Sequence, residues 1–364
     1  NNWKANGNNI FTQITGNVGI GTATPNSVLH LSRAGGMNFQ MDNSISGASV
    51  FLSTPSAGAT GGVGTGGNFD FPIFTNGFDR LTVKTDGKIG IGTTTPAALL
   101  DVNGDAKING LTVGRGPSGN PNCSAFGTNA LASNTGPTNA AFGQNALTAN
   151  TTGYDNASFG VNSSIQNTSG HQNTAFGVRA LESNISGSGL TGIGHIADVS
   201  SSNLNNATVI GNFTTVDASN KVRIGNGSIS SIGGNVAWTN FSDARIKDNV
   251  QEKVVGLAFI NALRPVTYHL NVDKQDKLMG VENSSNWEGK YDIENISFSG
   301  FIAQEVEQAA QKTGYDFSGV DKSGKLLGLR YSEFTVPLVK AVQEQQVQIE
   351  KLEQIIQQMQ AKLN

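Results

Sequence analysis

The sequence is poor in the residues that bind metals or form covalent cross-links. Cysteine occurs once, at Cys123, which excludes an intrachain disulfide framework and a site built from several thiolates. The four histidines are scattered along the chain and lack the HExxH spacing of a zinc site. We therefore expect no metal site and no cofactor.

Charged residues are also scarce, at 14% of the 364 residues, whereas an ordinary globular protein has about 25%. Residues 1–241 contain ten basic and ten acidic side chains. Residues 242–364 contain fourteen basic and seventeen acidic side chains. Neither part is basic, which excludes the positive surface that a nucleic-acid partner requires. The change in charge density near residue 242 indicates two differently built regions.

Long apolar runs are missing as well. No stretch approaches the roughly 18 apolar residues that cross a bilayer, and no charged-then-apolar signal segment opens the chain. Membrane insertion is therefore not expected. Because the sequence starts at Asn1 and not at a methionine, we expect it to be a fragment of a longer protein, with further contacts made by a missing N-terminal part.

Glycine, in contrast, is abundant, with 46 residues, and part of it is periodic. Spacings of 16 or 17 residues separate Gly127, Gly143, Gly160, Gly177, Gly194 and Gly211. Each follows a large apolar residue, namely Phe126, Phe142, Phe159, Phe176, Ile193 or Ile210. Asparagine recurs seven residues after the first four glycines, at Asn134, Asn150, Asn167 and Asn184, and second glycines follow at Gly136, Gly153, Gly170 and Gly187. A fixed period of this length predicts a solenoid.

One aromatic ring and a few small residues per repeat cannot form a core alone, but stacked coils would join them into a continuous apolar column. The glycines and asparagines are predicted at corners, where the backbone is left-handed. Residues 122–212 resemble the head repeats of trimeric autotransporter adhesins and similar repeats of phage fibres. The resemblance implies a parallel β-roll that packs as a trimer, serving either as a mechanical shaft or in glycan binding.

A longer duplication precedes these repeats. Residues 17–25, NVGIGTATP, reappear as residues 88–96, KIGIGTTTP, and each copy predicts a strand, a glycine turn and a strand. The GIG in each copy is also the start of a dinucleotide-binding loop, but the third glycine and the helix of such a loop are absent, which argues against that interpretation. Residues 101–105, DVNGD, lack the glycine and the bidentate glutamate of a calcium loop and predict a turn. Residues 58–67, rich in glycine, predict an exposed loop.

The end of the chain has a heptad pattern without proline or glycine after Pro337. The a positions hold Val342, Ile349, Ile356 and Leu363, and the d positions hold Leu338, Gln345, Leu352 and Met359. This pattern predicts a coiled coil, and the repeats upstream favour three chains. Gln345 is then interpreted as a polar layer that sets the register.

Four motifs in the charged region carry a second resemblance. They are residues 241–250 (FSDARIKDNV), 263–268 (LRPVTY), 300–306 (GFIAQEV) and 331–342. In order and spacing they resemble the intramolecular chaperone domain at the end of endosialidase-type tailspikes and other phage tail fibres, over roughly residues 242–364. The resemblance implies a domain that trimerises, guides the β-rich fibre ahead of it into register and then cuts itself off.

The same resemblance implies a single-turnover autoprotease. It places the nucleophile at Ser242, the base at Lys247 and the cut between Ser242 and Asp243. A lysine can act as the base only when its amine is uncharged, which desolvation at an assembled interface favours. The alternative is structural, because Ser242 and Asp243 are good N-cap residues ahead of a helical stretch.

We therefore predict a mainly β trimeric fibre, made of β-roll or β-solenoid repeats and small β modules. An α+β chaperone domain that ends in a trimeric coiled coil follows it. Domains are expected at residues 1–110 (duplicated glycine-rich modules), 111–235 (the repeat shaft) and 236–364 (the chaperone, with the coiled coil at 338–364).

The favoured function is a receptor-binding tail fibre in the virion tail of a phage or phage-like particle. Its expected partners are two further copies, a host cell-surface receptor or glycan, and tail or baseplate proteins held by the missing N-terminal part. A bacterial surface adhesin with the same chaperone is the alternative. A glycan-degrading tailspike requires paired carboxylates. None of the ten acidic residues in residues 1–241 is obviously paired with another, so the glycan-degrading tailspike is the least favoured alternative.

Overall fold

The computed structural model describes residues 3–6, 9–12, 17–20, 23–24, 29–31, 37–43, 48–54, 62–66, 68–281 and 286–363. The chain divides into two compact units, residues 1–104 and residues 105–364. Each unit has its own sheets, and the predicted fold class is confirmed in the second. There a β-solenoid of about six turns leads into a small α+β region and a long C-terminal helix that fits a coiled coil.

The first unit contains short strands joined in small sheets. The strands are β1 Trp3–Asn6, β2 Asn9–Thr12, β3 Val18–Ile20, β4 Leu29–Leu31, β5 Met37–Asn43, β6 Ala48–Thr54, β7 Gly62–Gly66, β8 Phe71–Thr75, β9 Phe78–Val83, β10 Ile89–Ile91 and β11 Leu100–Val102. They form the pairs β1–β2 and β3–β4, the three-stranded sheet β5–β6–β7 and the four-stranded sheet β11–β10–β9–β8.

The strand pairing of the duplicated motif is the same in both copies. Strand β3 pairs in parallel with β4, and β10 pairs in parallel with β11, in equivalent registers. In the second copy Gly90 has no room for a Cβ, which would lie 2.2 Å from the carbonyl oxygen of Thr93. Gly92 has a φ of +70°, where glycine is favoured. The two glycines therefore serve a close approach and a turn.

Two sequence predictions in this unit have different outcomes. The exposed loop predicted at residues 58–67 is wrong for its second half, because Gly62–Gly66 forms strand β7 against β6. Ladder hydrogen bonds use backbone groups, so glycine can join a sheet when a neighbouring strand supplies partners. Residues 58–61 and 67 lie outside the described residues. The turn predicted at residues 101–105 is present as a bend at residues 103–104, just after β11.

The solenoid is built around one nine-stranded sheet. Its strands are β12 Ala106–Ile108, β13 Leu111–Gly114, β14 Ser124–Phe126, β15 Ala140–Phe142, β16 Ala157–Phe159, β17 Thr174–Phe176, β18 Thr191–Ile193, β20 Thr208–Ile210 and β22 Val222–Ile224. A second short sheet joins β19 Asp198–Val199 to β21 Thr215–Val216. From β14 onward every pair is parallel and in register, as Phe126↔Phe142 shows. One strand per repeat confirms the predicted solenoid.

The phenylalanines do form a continuous column, but it lies outside the solenoid. Phe126, Phe142, Phe159 and Phe176 stack with ring centroids 4.9–6.2 Å apart and stay partly exposed, up to 59% at Phe176. Successive strand residues point to opposite faces, so the neighbouring Ala125 points inward. The interior is filled instead by alanines and by Leu131, Leu147 and Leu181, all of which are buried. The narrow coil accommodates small side chains and leaves the aromatic ring outside.

The corner prediction is correct for the first glycine of each repeat and wrong for the asparagines that it named. Gly127, Gly143, Gly160, Gly177, Gly194 and Gly211 have φ between +129° and +149°. Asn134, Asn150, Asn167 and Asn184 are absent from the left-handed positions and are buried. In the first three of these repeats a left-handed asparagine lies two residues after the glycine instead, at Asn129, Asn145 and Asn162.

The buried asparagines form a hydrogen-bonded ladder along the inside of the coils. The Asn150 amide donates to Asn134 Oδ1 at 2.6 Å, Asn167 to Asn150 at 2.8 Å, and Asn184 to Asn167 at 2.9 Å. Each amide also donates to the backbone carbonyl of the second glycine of its own repeat, as Asn167 does to Gly170 O at 3.0 Å. Those second glycines, also predicted at corners, are required by crowding: a Cβ on Gly136 would lie 2.0 Å from Gly153 O.

The remaining elements form the α+β region and the terminal helix. They are the helices α1 Leu257–Ile260, α2 Val272–Met279, α3 Ala303–Lys312 and α4 Thr335–Leu363, the 3-10 helices Ala244–Ile246, Asp292–Asn295 and Tyr331–Phe334, and the strands β23 Val266–Tyr268, β24 Phe298–Gly300, β25 Val320–Asp321 and β26 Gly328–Leu329. Phe259, Val306 and Phe334 are central to one buried cluster, which joins α1, α3 and the 3-10 helix Tyr331–Phe334.

Helix α4 leaves its heptad stripe uncovered within one chain. The a and d residues Leu338, Val342, Ile349, Leu352, Ile356, Met359 and Leu363 are all exposed. An amphipathic helix normally buries such a stripe against another element. The stripe therefore fits the seam of a coiled coil.

Candidate functional site

The candidate site lies in an exposed segment between the solenoid and helix α1. Every residue from 229 to 253 is exposed. Residues 224–242 contain no charged side chain, yet they include Trp238 at 81% exposure and Phe241 at 93%. Exposed apolar residues in such a cluster typically mark a surface that a partner covers. Ser242 lies directly after this uncharged stretch.

A single helical turn brings the two predicted site residues together. The 3-10 helix Ala244–Ile246 follows Ser242 and Asp243, and Lys247 N donates to Ala244 O at 3.2 Å as the chain leaves it. Lys247 Nζ then donates a hydrogen bond to Ser242 Oγ at 2.7 Å. The nucleophile and base that the resemblance implies are thus within hydrogen-bond distance, the arrangement that serine activation requires.

Asp243 performs the capping role that the structural alternative assigned to Ser242 and Asp243. Its carboxylate accepts from the backbone N–H of Arg245 at 2.9 Å, which caps the 3-10 helix. Its other oxygen accepts from the Arg245 guanidinium at 2.7 Å. The hydrogen bond from the Arg245 side chain has the largest effect on the pKa of Asp243 and holds it below its usual value. The hydrogen bond from the Arg245 backbone N–H acts in the same direction. The cap leaves the Ser242 hydroxyl free to meet Lys247.

The geometry of the pair sets a chemical condition. A protonated Lys247 donates to Ser242 and cannot take its proton, so the amine must first lose its charge. Burial disfavours the charged form of a lysine. Both residues are exposed in the single chain, so their desolvation requires a further surface that covers them.

The other three motifs meet around strands β23 and β24. Strand β23, inside the motif 263–268, pairs with β24, which ends at Gly300. Arg264 donates to Glu305 through Nε at 3.0 Å. The Tyr331 hydroxyl accepts from Phe301 N at 3.1 Å, and a Cβ on Gly300 would lie 2.1 Å from that hydroxyl. The motifs therefore form one folded core, at a distance in sequence from Ser242.

Sequence reasoning missed a second set of contacts, where the last solenoid coil meets the α+β region. Asp217, Lys221, Trp287 and Lys325 take part in it. They are up to 108 residues apart, and no periodic pattern joins them. A cavity of about 490 Å³ lies there and is lined by both basic Arg223 and acidic Asp276.

The described residues contain no group of three or more His, Cys, Asp or Glu side chains arranged to hold a metal ion. Among the helices of the described part of the chain, none combines the length and the apolar character needed to cross a membrane.

Comparison with known proteins gives one match. Residues 242–315 match the family model described as Chaperone of endosialidase. The matched range begins at Ser242 and includes Lys247 and the motifs at 263–268 and 300–306. Neither the curated proteins nor the solved structures contain a match to the chain.

Proposed function

We propose that this chain is a trimeric, receptor-binding tail fibre of a phage or phage-like particle. The match of residues 242–315 to the endosialidase chaperone supports a tail-fibre or tailspike-like protein with a domain for trimerisation and folding. The family of that domain implies a homotrimer. The observation that carries the proposal is this match directly downstream of a parallel β-solenoid.

The physical reason for a chaperone lies in the solenoid. Bringing three identical β-rich chains into register requires non-local pairing, which is slow and leaves strand edges exposed during folding. A C-terminal clamp raises the effective concentration of the three chains. Helix α4 supplies such a clamp, because its uncovered stripe matches the heptad seam of a coiled coil.

The trimer is tested by the mass of the full chain in solution. Light scattering should give about three times the 38.0 kDa of one chain. Ile356→Glu should lower that mass, because Ile356 is 54% exposed in one chain and its loss acts mainly on a partner. Gln357→Glu, the matched control on the outer face, should leave the mass unchanged. A wild-type mass of one chain would contradict the proposal.

We also propose that the Ser242–Lys247 pair cuts the chain between Ser242 and Asp243 once it is covered in the trimer. Attack of a serine hydroxyl on its own carbonyl carbon would close a four-membered ring. The nucleophile for this bond therefore comes from Ser242 of a neighbouring copy. A tagged Ser242→Ala chain would then still be cut when co-expressed with an excess of wild-type chains.

Denaturing electrophoresis of freshly expressed protein tests the cleavage. Wild type should give fragments of residues 1–242 and 243–364, and Ser242→Ala or Lys247→Met expressed alone should give one full-length band. Thr239→Ala, which also removes an exposed hydroxyl, is the control and should be cut. A full-length wild-type band, unaltered in Ser242→Ala, would refute the autoprotease.

A bacterial surface adhesin with the same chaperone is the second candidate, because the 17-residue repeats resemble adhesin heads. Its test is the segment upstream of Asn1 in the complete gene product. An export signal there would favour the adhesin, and a module that attaches to a baseplate would favour the tail fibre.

A further inference from the structure

The last coil of the solenoid, residues 213–227, is covered by residues of the α+β region. The centre of this contact is Asp217, whose side chain is fully buried. Its carboxylate accepts from Lys221 Nζ at 3.0 Å and from the backbone N–H of Lys325 at 2.8 Å. Lys325 lies in the loop between β25 and β26. One carboxylate therefore joins the solenoid to that hairpin.

The ionised state of Asp217 fits this role. Burial alone would raise the pKa of Asp217, but the hydrogen bonds from Lys221 and the Lys325 N–H, and the charges of Lys221 and Arg223, hold it below its usual value. The carboxylate is consequently charged at neutral pH. A buried charge of this kind is tolerated only while its partners remain in place.

Three further contacts surround Asp217. The ring of Phe213, in the last coil, stacks on that of Trp287 with centroids 6.0 Å apart and planes 7° from parallel. Lys221 also approaches Asp321 of strand β25, at 3.7 Å. A Cβ on Gly227 would lie 3.0 Å from the side chain of Gln275, in helix α2. Charged, aromatic and close backbone contacts therefore all join the two regions.

The covalent link between these regions meets the contact at its start, where Ile229 and Ile232 line the cavity. Residues 229–253 are exposed throughout and include Ser242 and Asp243. The contacts that residues 213–227 make with Gln275, Trp287, Asp321 and Lys325 use no residue of this link. A cut between Ser242 and Asp243 therefore breaks no bond within those four contacts.

We propose that the α+β region is a resident cap of the solenoid, which remains bound to the last coil after the connecting chain is cut. The cap binds one partner, the residue 213–227 surface of its own chain. It faces strand β22, whose residues Val222, Arg223 and Ile224 line the cavity of about 490 Å³ together with Gln275 and Leu327 of the cap. This role does not depend on whether the Ser242–Lys247 pair is active.

The test uses the full chain with a site-specific protease sequence inserted between Thr239 and Asn240, in the Ser242→Ala background. Denaturing electrophoresis confirms complete cutting, and size-exclusion chromatography at micromolar concentration then shows whether the fragments separate. We expect at least nine-tenths of the C-terminal fragment to elute with the N-terminal fragment. Elution of the two fragments in separate peaks would overturn the proposal.

Gly324→Leu tests whether this surface holds the cap. A Cβ at Gly324 would lie 2.1 Å from Asp217 Oδ2 and 2.6 Å from Lys221 Nζ, so the larger side chain displaces the hairpin from the coil. After cutting, we expect at least a tenfold larger free fraction of the C-terminal fragment. Gly234→Leu is the control, because a Cβ there meets nothing within 4 Å, and its fragments should stay together.

Trp287→Ala is a second variant of the same contact surface. It removes the ring that stacks on Phe213 and leaves the buried carboxylate of Asp217 unchanged. Both variants are compared with the parent by circular dichroism before cutting. Fragments that stay together in Gly324→Leu and in Trp287→Ala, with unchanged spectra, would show that another surface holds them and would overturn the assignment.

Discussion

At the scale of single residues, the inside of the solenoid depends on polar side chains whose hydrogen bonds are fully used. Asn167 has no exposed surface, donates to Asn150 and Gly170, and accepts from Asn184. Burial of an amide is favourable only with such partners. The ladder therefore links neighbouring coils as the backbone strands do.

Asn167→Ala should destabilise the solenoid by about 2–6 kcal/mol, because it leaves Asn150 Oδ1 and one N–H of the Asn184 amide without a partner, at about 1–3 kcal/mol each. Chemical denaturation followed by circular dichroism measures the change. Gln166→Ala, at the exposed neighbouring position, should have almost no effect. Equal effects of the two substitutions would contradict the role of the ladder.

Asp198 is a buried carboxylate without a basic partner among its hydrogen bonds. It accepts from the backbone N–H groups of Ser183 and Val199. Burial raises its pKa above the usual value, and the nearby charge of Glu182 adds to the effect, although the hydrogen bonds oppose it. The folded state therefore favours the protonated form. Its contribution to stability is greatest at acid pH and is lost as the pH rises through the raised pKa.

Asp198→Asn should raise the melting temperature at pH 8, because the amide oxygen still accepts both N–H groups and no charge is buried. The gain should shrink as the pH is lowered to 3.8, the ordinary aspartate value that the pKa of Asp198 exceeds, because protonation then stabilises the wild type. Thermal unfolding at both pH values measures this, with the exposed Asp248→Asn as control. A lower melting temperature in Asp198→Asn at pH 8 would reject the interpretation.

At the scale of elements, the third coil differs from its neighbours. The core divides there into two clusters, one formed mainly by residues 123–147 and one by residues 175–216. Serine occupies the intervening interior positions, and Ser158 Oγ donates to Ser163 Oγ at 2.7 Å. Ser164 lies where neighbouring coils have leucine, with the same left-handed backbone. The coil is thus a polar interruption of an apolar interior.

Ser164→Leu should stabilise the protein by about 1 kcal/mol, as a repeat-consensus substitution that fills an interior position. The new side chain would contact Leu147 and Leu181 in the adjacent coils. Chemical denaturation compares it with Ser164→Ala, which removes the hydroxyl but adds no volume. A destabilised leucine variant would mean that the interior is too narrow at this coil.

In helix α4, Gln345 is the polar residue among the d positions. An isolated polar layer specifies register and oligomeric state at a cost in stability. Gln345→Leu should therefore raise the melting temperature and admit assemblies other than three chains, as measured by native mass spectrometry. An unchanged distribution of assemblies would remove the need for this role.

At the scale of the whole molecule, the proposed order of events starts at the C-terminal end. A chain shortened to residues 1–342 loses most of the heptad stripe, and we expect its solenoid to refold slowly at every chain concentration. The full chain should refold faster as its concentration rises, since assembly supplies the local concentration. A control shortened to residues 1–360 should behave like the full chain. Identical kinetics in all three would contradict C-terminal initiation.

The period and the heptad stripe could both be predicted, because each is a local pattern in the sequence. The pair Ser242 and Lys247 was accessible only through the resemblance to the chaperone domain. Which residues of each repeat face inward and which face outward could not be predicted from the sequence. Strand alternation allows either Ala125 or Phe126 inside, and the width of the stacked coil decides for alanine.

The sequence by itself determined that coils repeat and which helix face is apolar, because these properties depend on neighbours a few residues away. Only the tertiary structure decided that Asp217 meets Lys325, that Phe213 meets Trp287 and that asparagines line the interior. Such contacts are set by how complete elements pack in three dimensions. Their partners are distant in the chain, and no local periodicity records them.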